Sequence, residues 1–175
     1  MKEALTLIEK IIEEHKIIIQ GVQALEDVAN DAEAIGGLEK AREAFMPGRF
    51  EQKQGLQKLQ ELLQTTEQGL QAHFYREETA LLTAFEKYGD KELISALRTL
   101  LIEHEGIRDR LAHSGKHVVE LSSGGLSGHV WDERAHDMRA YISHTRKLLE
   151  AHAEIEQELL RELQDRLREK MKEND

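Results

Sequence analysis

Apolar residues recur at steps of three and four along most of the 175-residue chain. This spacing is that of an amphipathic helix, because residues three and four apart share one face, whereas a strand alternates every second residue. Four long segments carry the pattern, and they are rich in Glu, Leu, Gln, Lys and Ala, which all favour helix. The pattern therefore predicts an all-α protein.

Glycine and proline divide these segments from one another. Three breaks are predicted. The first lies between Gly36-Gly37 and Pro47-Gly48, the second at Gly89-Asp90, and the third at Gly124-Gly125 with Gly128. Because the turn at Gly89-Asp90 is short, segments two and three should be antiparallel neighbours, with Asp90 as the N-cap. Four long helices with apolar seams predict an up-down four-helix bundle that occupies residues 1–175 as a single domain.

Six polar residues stand where the apolar seams call for core residues. They are His15 in segment one, His73 and Glu77 in segment two, His104 in segment three, and His152 and Glu156 in segment four. At about 100° per residue, positions four apart share a face. Every helix is therefore expected to point one imidazole inward, and two helices add a carboxylate one turn further on.

The six residues are also predicted to lie at one height in the bundle. His73 and His104 are 16 and 15 residues from Gly89, which at 1.5 Å per residue is about 24 and 22 Å. His15 lies about 21 Å from the N-terminus at the same end, and His152 and Glu156 lie about 28 and 22 Å from the expected end of helix four. The residues thus converge on one layer to within about a turn.

Four imidazoles and two carboxylates buried together would be costly to leave without partners. Two divalent or trivalent first-row metals would satisfy them, with two histidines on each metal and both carboxylates bridging the pair. Imidazole suits several such metals, and carboxylate bridges favour a hard, redox-active pair, so we expect two iron ions. With one further oxo or hydroxo bridge, each iron would be five-coordinate and keep an open position for O2, peroxide or NO.

This ordered set of residues resembles the hemerythrin-like family, also called the HHE cation-binding domain. The resemblance spans essentially the whole chain and rests on Glu14-His15, His73-Phe74-Tyr75-Arg76-Glu77-Glu78, Glu103-His104 and His152-Ala153-Glu154-Ile155-Glu156. It implies that one iron is held by His104 and His152. The other would be held by His15 and His73. The bridges would be Glu77 and Glu156.

The resemblance also bears on the use of such a site. Oxygen-carrying hemerythrins have a second His one turn after the first in helix three, where this chain has Arg108. The ligand set is closer to that of iron-centre-repair di-iron proteins and related bacterial stress proteins. It implies a di-iron protein that binds or responds to O2, peroxide or NO in stress response, sensing or iron-centre repair. A reversible oxygen carrier or storage protein and a zinc-bound structural bundle stay open as alternatives.

The remaining polar residues near these motifs are assigned more modest roles. His113 and His117 imitate a chelating pair, but position 113 is nine residues from His104 and so faces about 180° away from the seam. The other non-seam histidines are expected at the surface or rim. Arg108 either pairs with a nearby carboxylate or extends into solvent, and Glu14 and Glu103 are either solvated acids or outer partners of the histidines.

Composition limits the classes of partner that the protein is expected to bind. The chain has 24 Lys and Arg against 34 Asp and Glu, a net charge of −10 that repels phosphate, so we expect neither nucleic acid nor a membrane surface as partner. Without cysteine there is no disulfide, thiol chemistry or Cys-ligated metal. No apolar run is long enough for a membrane span and the N-terminus carries no secretory signal, so a cytoplasmic protein is expected. A homodimer formed through the helix faces stays open.

Overall fold

The computed structural model describes the backbone of residues 1–43 and 50–173 and the side chains of residues 1–30 and 55–173. Its elements are α1 (Lys2–Glu43), α2 (Phe50–Arg76), a π-helical turn (Glu77–Leu81), α3 (Leu82–Tyr88), α4 (Lys91–Leu101), α5 (Glu103–Ser122) and α6 (Gly128–Lys172). The π turn joins α2 to α3 without a break, and only Ile102 separates α4 from α5. The described residues thus form four long helical segments and no strand, which confirms the predicted all-α class.

The turn between α3 and α4 lies where the sequence predicted it. The Asp90 carboxylate accepts a hydrogen bond from the Leu93 backbone N–H at 2.9 Å and caps α4. Glycine is needed before it, because a Cβ on Gly89 would lie 2.8 Å from the carbonyl oxygen of Phe85. This close approach lets the chain reverse direction within two residues.

One predicted break was placed too early at its first end. Helix α1 continues through Gly36 and Gly37 to Glu43, where the sequence was expected to leave the helix. A glycine inside a helix costs only about 0.5–1 kcal/mol relative to alanine, so two of them weaken a long helix without ending it. The other half of that break, Pro47-Gly48, lies outside the described residues. The third predicted break agrees with the gap between α5 and α6, where Gly124 has a positive φ of 74°.

The helical segments surround a common interior. Helix α1 packs against α2 and α6, and α5 packs against the same two helices. At one end, the amino group of Met1 donates to the hydroxyl of Tyr88 at 3.1 Å. At the same turn, Arg166 pairs with Asp90 at 2.6 Å. The start of α1, the α3–α4 turn and the last part of α6 therefore meet at this end.

Two apolar clusters fill the interior, one on each side of the six polar seam residues. Members of the first cluster include Val22, Leu59, Leu70, Leu111 and Ile142. Members of the second, nearer the α3–α4 turn, include Ile8, Leu81, Phe85, Leu97 and Leu163. A polar layer thus divides the core in two. Within the described part of the chain, no helix combines the length and the apolar character needed to cross a membrane.

Replacing Phe85 by alanine should lower the free energy of unfolding of the metal-free protein by about 3–5 kcal/mol. Phe85 is fully buried in the second cluster, so its removal leaves a cavity that the helices cannot close. Urea denaturation followed by circular dichroism measures the change. As a control, Ile17→Ala alters a side chain that is 62% exposed and should stay within about 0.5 kcal/mol of the parent. Equal losses in the two variants would contradict the assigned core.

Candidate metal centre

All six seam residues lie together in the layer between the two apolar clusters. None is more than 7% exposed, and Glu77, His104 and Glu156 are fully buried. They form two adjacent groups whose ligand atoms lie within 4.8 Å of one another. The groups are His15, His73, Glu77 and Glu156, and Glu77, His104 and His152.

The first group is arranged around His15 and His73. The Nε2 atom of His15 lies 3.0 Å from Oε2 of Glu156 and 3.4 Å from Oε1 of Glu77. The Nε2 atom of His73 lies 2.6 Å from the same Oε1 of Glu77. Two imidazole nitrogens and two carboxylates thus face one point in the bundle.

The second group lies on the other side of Glu77. The Nε2 atom of His104 lies 3.2 Å from Oε2 of Glu77 and 3.1 Å from Nε2 of His152. His152 in turn lies 3.9 Å from Oε2 of Glu156. Glu77 therefore presents one oxygen to each group, which is the disposition of a carboxylate that can bridge two ions.

The chemistry of these atoms tests whether a metal fits. Both ring nitrogens of His15 and both carboxylate oxygens of Glu77 and Glu156 are buried without a hydrogen-bond partner. Some of them lie close enough to one another to bond, but the geometry of these contacts is not that of hydrogen bonds. Each such orphan costs about 1–3 kcal/mol, and more when it is charged. A cation that accepts their lone pairs removes the cost, so the residues could hold a metal ion.

The π-helical turn accounts for the placement of two successive glutamates. In a regular helix, Glu78 would point about 100° away from Glu77. The π turn begins at Glu77 and widens the helix by one residue, a feature common at functional sites. Glu77 can then enter the polar layer while Glu78 reaches Nδ1 of His104 at 2.9 Å. Nothing in the helical periodicity of the sequence signals this irregularity.

Three carboxylates outside the six residues bind the far side of the histidine rings. Nδ1 of His73 lies 3.0 Å from Glu14, and Nδ1 of His152 lies 3.1 Å from Glu103. Because a carboxylate accepts and does not donate, each Nδ1 carries the proton and leaves Nε2 free to bind a metal. Glu14 and Glu103 are therefore outer partners of the histidines, one of the two alternatives that the sequence left open. Glu78, which the sequence did not single out, plays the same part.

Two arginines fix two of these outer carboxylates. Arg76 contacts Glu14 through Nε at 3.0 Å and through Nη2 at 2.8 Å. Arg108 donates to Glu78 at 2.7 Å, so it pairs with a carboxylate and does not extend into solvent. Arg76 was not predicted to take part. Its position three residues after His73 on the same helix was the only signal.

Phe74 covers the α5 side of the layer. Its ring stacks on the His104 ring with centroids 3.8 Å apart, and the planes are inclined by 13°. The guanidinium of Arg108 lies 5.1 Å from the centroid of the same phenyl ring. Phe74, Arg108 and Glu78 together enclose His104.

A small cavity adjoins the layer on the α1 side. Its volume is about 10 Å³, room for about one water-sized molecule. Three of its walls are the rings of His15, His73 and His152, and apolar side chains such as Leu70 and Leu149 supply the rest. The cavity is therefore apolar apart from the histidines themselves.

The remaining histidines lie outside this layer. His113 is exposed and stacks on Tyr141 at 5.8 Å, and His117 is half-buried beside the same ring. His129, His136 and His144 are exposed. Among the residues whose side chains the structure describes, no metal-binding group of three or more donors includes any of the five.

Burial and neighbours set the charges of the metal-free layer. Burial opposes the charged form of His15, but the carboxylates of Glu156 and Glu77 outweigh it and raise its pKa to about 9. Burial raises the pKa of Glu156 to about 7, and the negative charge of Glu77 adds to the effect. Glu77 is buried too, yet the imidazoles around it hold its pKa well below the usual range. The layer therefore binds protons at neutral pH that a cation would have to displace.

The metal-free protein should be less stable at pH 9 than at pH 6. The contribution of His15 is complete below its unfolded pKa of 6.5 and is lost as the pH rises through about 9. Glu156 binds its proton up to about pH 7 when folded but only to 4.5 when unfolded, so stability falls across that interval as well. Glu77 stays ionised and adds no slope. Burial lowers the pKa of His152, which adds a rise in stability only up to its unfolded pKa of 6.5 and so leaves the fall toward pH 9 in place. Urea midpoints at the two pH values measure the difference.

Metal binding should show the opposite dependence, with affinity rising from pH 6 to pH 9, because a cation competes with these protons. Glu156→Gln removes one of the two protonation sites and should flatten the pH dependence of the metal-free midpoint. A midpoint that is unchanged or higher at pH 9 in the parent protein would contradict the assigned charges.

No family model, curated protein or solved structure matches this chain. The likeness to the hemerythrin-like family therefore stays a prediction from the residues.

Proposed function

We propose that this chain is a hemerythrin-like di-iron protein that binds or responds to O2, peroxide or NO. The observation that carries the proposal is the position of Glu77, whose two oxygens face two separate histidine pairs at 2.6 and 3.2 Å. A carboxylate between two pairs of imidazoles, all buried, is a donor set for two neighbouring cations of the first transition row.

The proposed bundle is of the up-and-down type. In support of it, the start of α1, the α3–α4 turn and the last part of α6 meet at one end, as they do when successive helices alternate in direction. The same order brings one histidine from each helical segment to a single layer. The bundle thereby supplies the ligands from four different directions.

The roles within the layer follow from the contacts. His15 and His73 would hold one iron. His104 and His152 would hold the other. Glu77 and Glu156 would bridge the two. When bound, an iron pair supplies reversible redox chemistry and coordination positions that a small ligand can occupy.

The protein's own residues limit what can reach the pair. The apolar clusters above and below the layer exclude bulk water. Arg108 lies one turn after His104, at the position where oxygen-carrying hemerythrins have a further histidine. It is bound to Glu78 and lies against Phe74, so it does not replace that ligand. The cavity beside His15, His73 and His152 has room for about one water-sized molecule and few polar groups to bind a larger one. These features favour a small, weakly polar ligand.

Metal content and the optical spectrum test the proposal directly. Protein purified from iron-supplemented cells should contain about two irons per chain and show near-ultraviolet charge-transfer bands that bleach on reduction. The spectrum should change again on addition of NO or peroxide. Zinc alone, or no metal after anaerobic iron loading, would refute the redox function and leave a structural bundle.

Removing either bridging carboxylate should abolish binding of the second metal. Glu77→Ala and Glu156→Ala are the test variants, and elemental analysis after iron loading is the measurement. His113→Ala and Glu105→Ala change exposed residues on α5 and should keep the full metal content. If His113→Ala emptied the site while Glu77→Ala did not, the assignment of ligands would be wrong.

Filling the cavity should weaken ligand binding without loss of iron. Ala153 is buried in its wall, so Ala153→Leu places three more carbon atoms in a space for about one small molecule. The affinity for NO, followed in the optical spectrum of the reduced protein, should fall at unchanged iron content. Ala151→Leu makes the same change at an exposed position of α6 and serves as control. Equal NO affinity in both variants would exclude this cavity as the ligand site.

A further inference from the structure

The four histidines of the layer are not supported equally. His73, His104 and His152 each have a glutamate at Nδ1, at 3.0, 2.9 and 3.1 Å respectively. Nδ1 of His15 is buried and has no hydrogen-bond partner. His15 is also the most exposed of the six residues, at 7% against 0–3% for the others.

The order of the helices explains why one support is missing. Each outer glutamate is the neighbour in sequence of a seam residue, so one helix supports the histidine of the next. Glu14 of α1 binds His73, Glu78 after α2 binds His104, and Glu103 of α5 binds His152.

The corresponding support from α6 back to α1 is not made. Gln157 follows Glu156 as Glu78 follows Glu77, but it is an amide, and α6 is regular where the other segment has a π turn. Gln157 has no negative charge to attract the Nδ1–H of His15. Without a π turn, its side chain also does not point as that of Glu78 does.

His15 and His73 belong to the same group and share the same carboxylates, so they can be compared directly. His73 is held by Glu14, which Arg76 fixes in turn. The ring of His15 can rotate about its side-chain bonds without breaking a hydrogen bond at Nδ1. The cavity lies against the rings of His15, His73 and His152, and of these three only the ring of His15 lacks an Nδ1 partner that would keep it from moving into the cavity.

We propose that His15 is a displaceable ligand of the metal centre, whereas His73 is a fixed one that Glu14 positions. This inference rests on the proposed two-metal site. A ligand that leaves and returns would open a coordination position on the cavity side, where a small molecule or an incoming ion could bind. Glu14 touches no reacting atom and acts only through His73.

Zinc provides a redox-silent probe. The protein is loaded with Zn²⁺, and its retention against a chelator is followed by elemental analysis for the parent, His15→Ala and His73→Ala. Loss of an outer partner alone costs about 10–100-fold in metal affinity, so His73→Ala should weaken retention at least about tenfold more than His15→Ala. Equal losses in the two variants would overturn the inference.

Glu14→Gln tests the positioning role without removing a ligand. It should weaken zinc retention about 10–100-fold and shift the Nδ1 signal of His73 in ¹⁵N spectra of the histidine rings, while the melting temperature of the metal-free protein stays within a few degrees. Glu13→Gln changes the exposed neighbouring acid and should alter neither quantity. Unchanged zinc retention in Glu14→Gln would refute the positioning role even if His73→Ala failed to fold.

Different results would refute the two-metal site and the displaceable ligand. A parent protein that binds fewer than two metals would refute the proposed function. A parent that binds two metals, with equal dependence on His15 and His73, would leave that function standing and refute only the displaceable ligand.

Discussion

The rest of this structure depends on the cost of burying a layer of lone pairs between two apolar clusters. Six oxygen and nitrogen atoms in that layer have no hydrogen-bond partner, and apolar residues pack on both sides of them. Helical bundles of ordinary composition avoid such a layer. Here the long helices extend well beyond it at both ends, and the two clusters supply the burial that keeps the donors in place. The favourable free energy of burying the two apolar clusters thus offsets the cost of charge repulsion and desolvation in the polar layer between them.

Departures from regular helix occur where the layer needs them. The π turn at Glu77 lets two successive glutamates serve two purposes, since Glu77 faces the other donors of the layer and Glu78 faces the far side of His104. The irregularity at Ile102 comes immediately before Glu103 and His104, which also act in different directions. In each of these adjacent pairs, one residue faces the interior of the layer. The other binds a histidine of a different helix. This links the orientation of His73, His104 and His152 to the packing of the neighbouring helices.

The sequence predicted the helical class and the six buried residues because both follow from one periodicity. A polar residue at a position of the apolar repeat is easily recognised in the sequence. The number of residues between it and the nearest turn gives its height along the bundle axis. The outer contacts could not be read in the same way, since Glu78 reaches His104 only through an irregular turn, and Arg76 acts across two helices. The beginning of the first break, at Gly36-Gly37, was wrong for another reason, because glycine lowers helix stability by too little to end a long helix. The identity of the metal depends on coordination and supply, which no spacing encodes.

The two sides of the layer differ in a way that bears on its chemistry. On the α5 side, the space beside the histidines is filled by the Phe74 ring, and Arg108 covers that ring from outside. On the α1 side, the wall of the layer includes Ala153, which is too small to fill the space, and the cavity remains. The unsupported ring of His15 lies on this same side. Space for a ligand and freedom of a histidine therefore coincide, and a molecule that enters the layer meets the donor that is least firmly held.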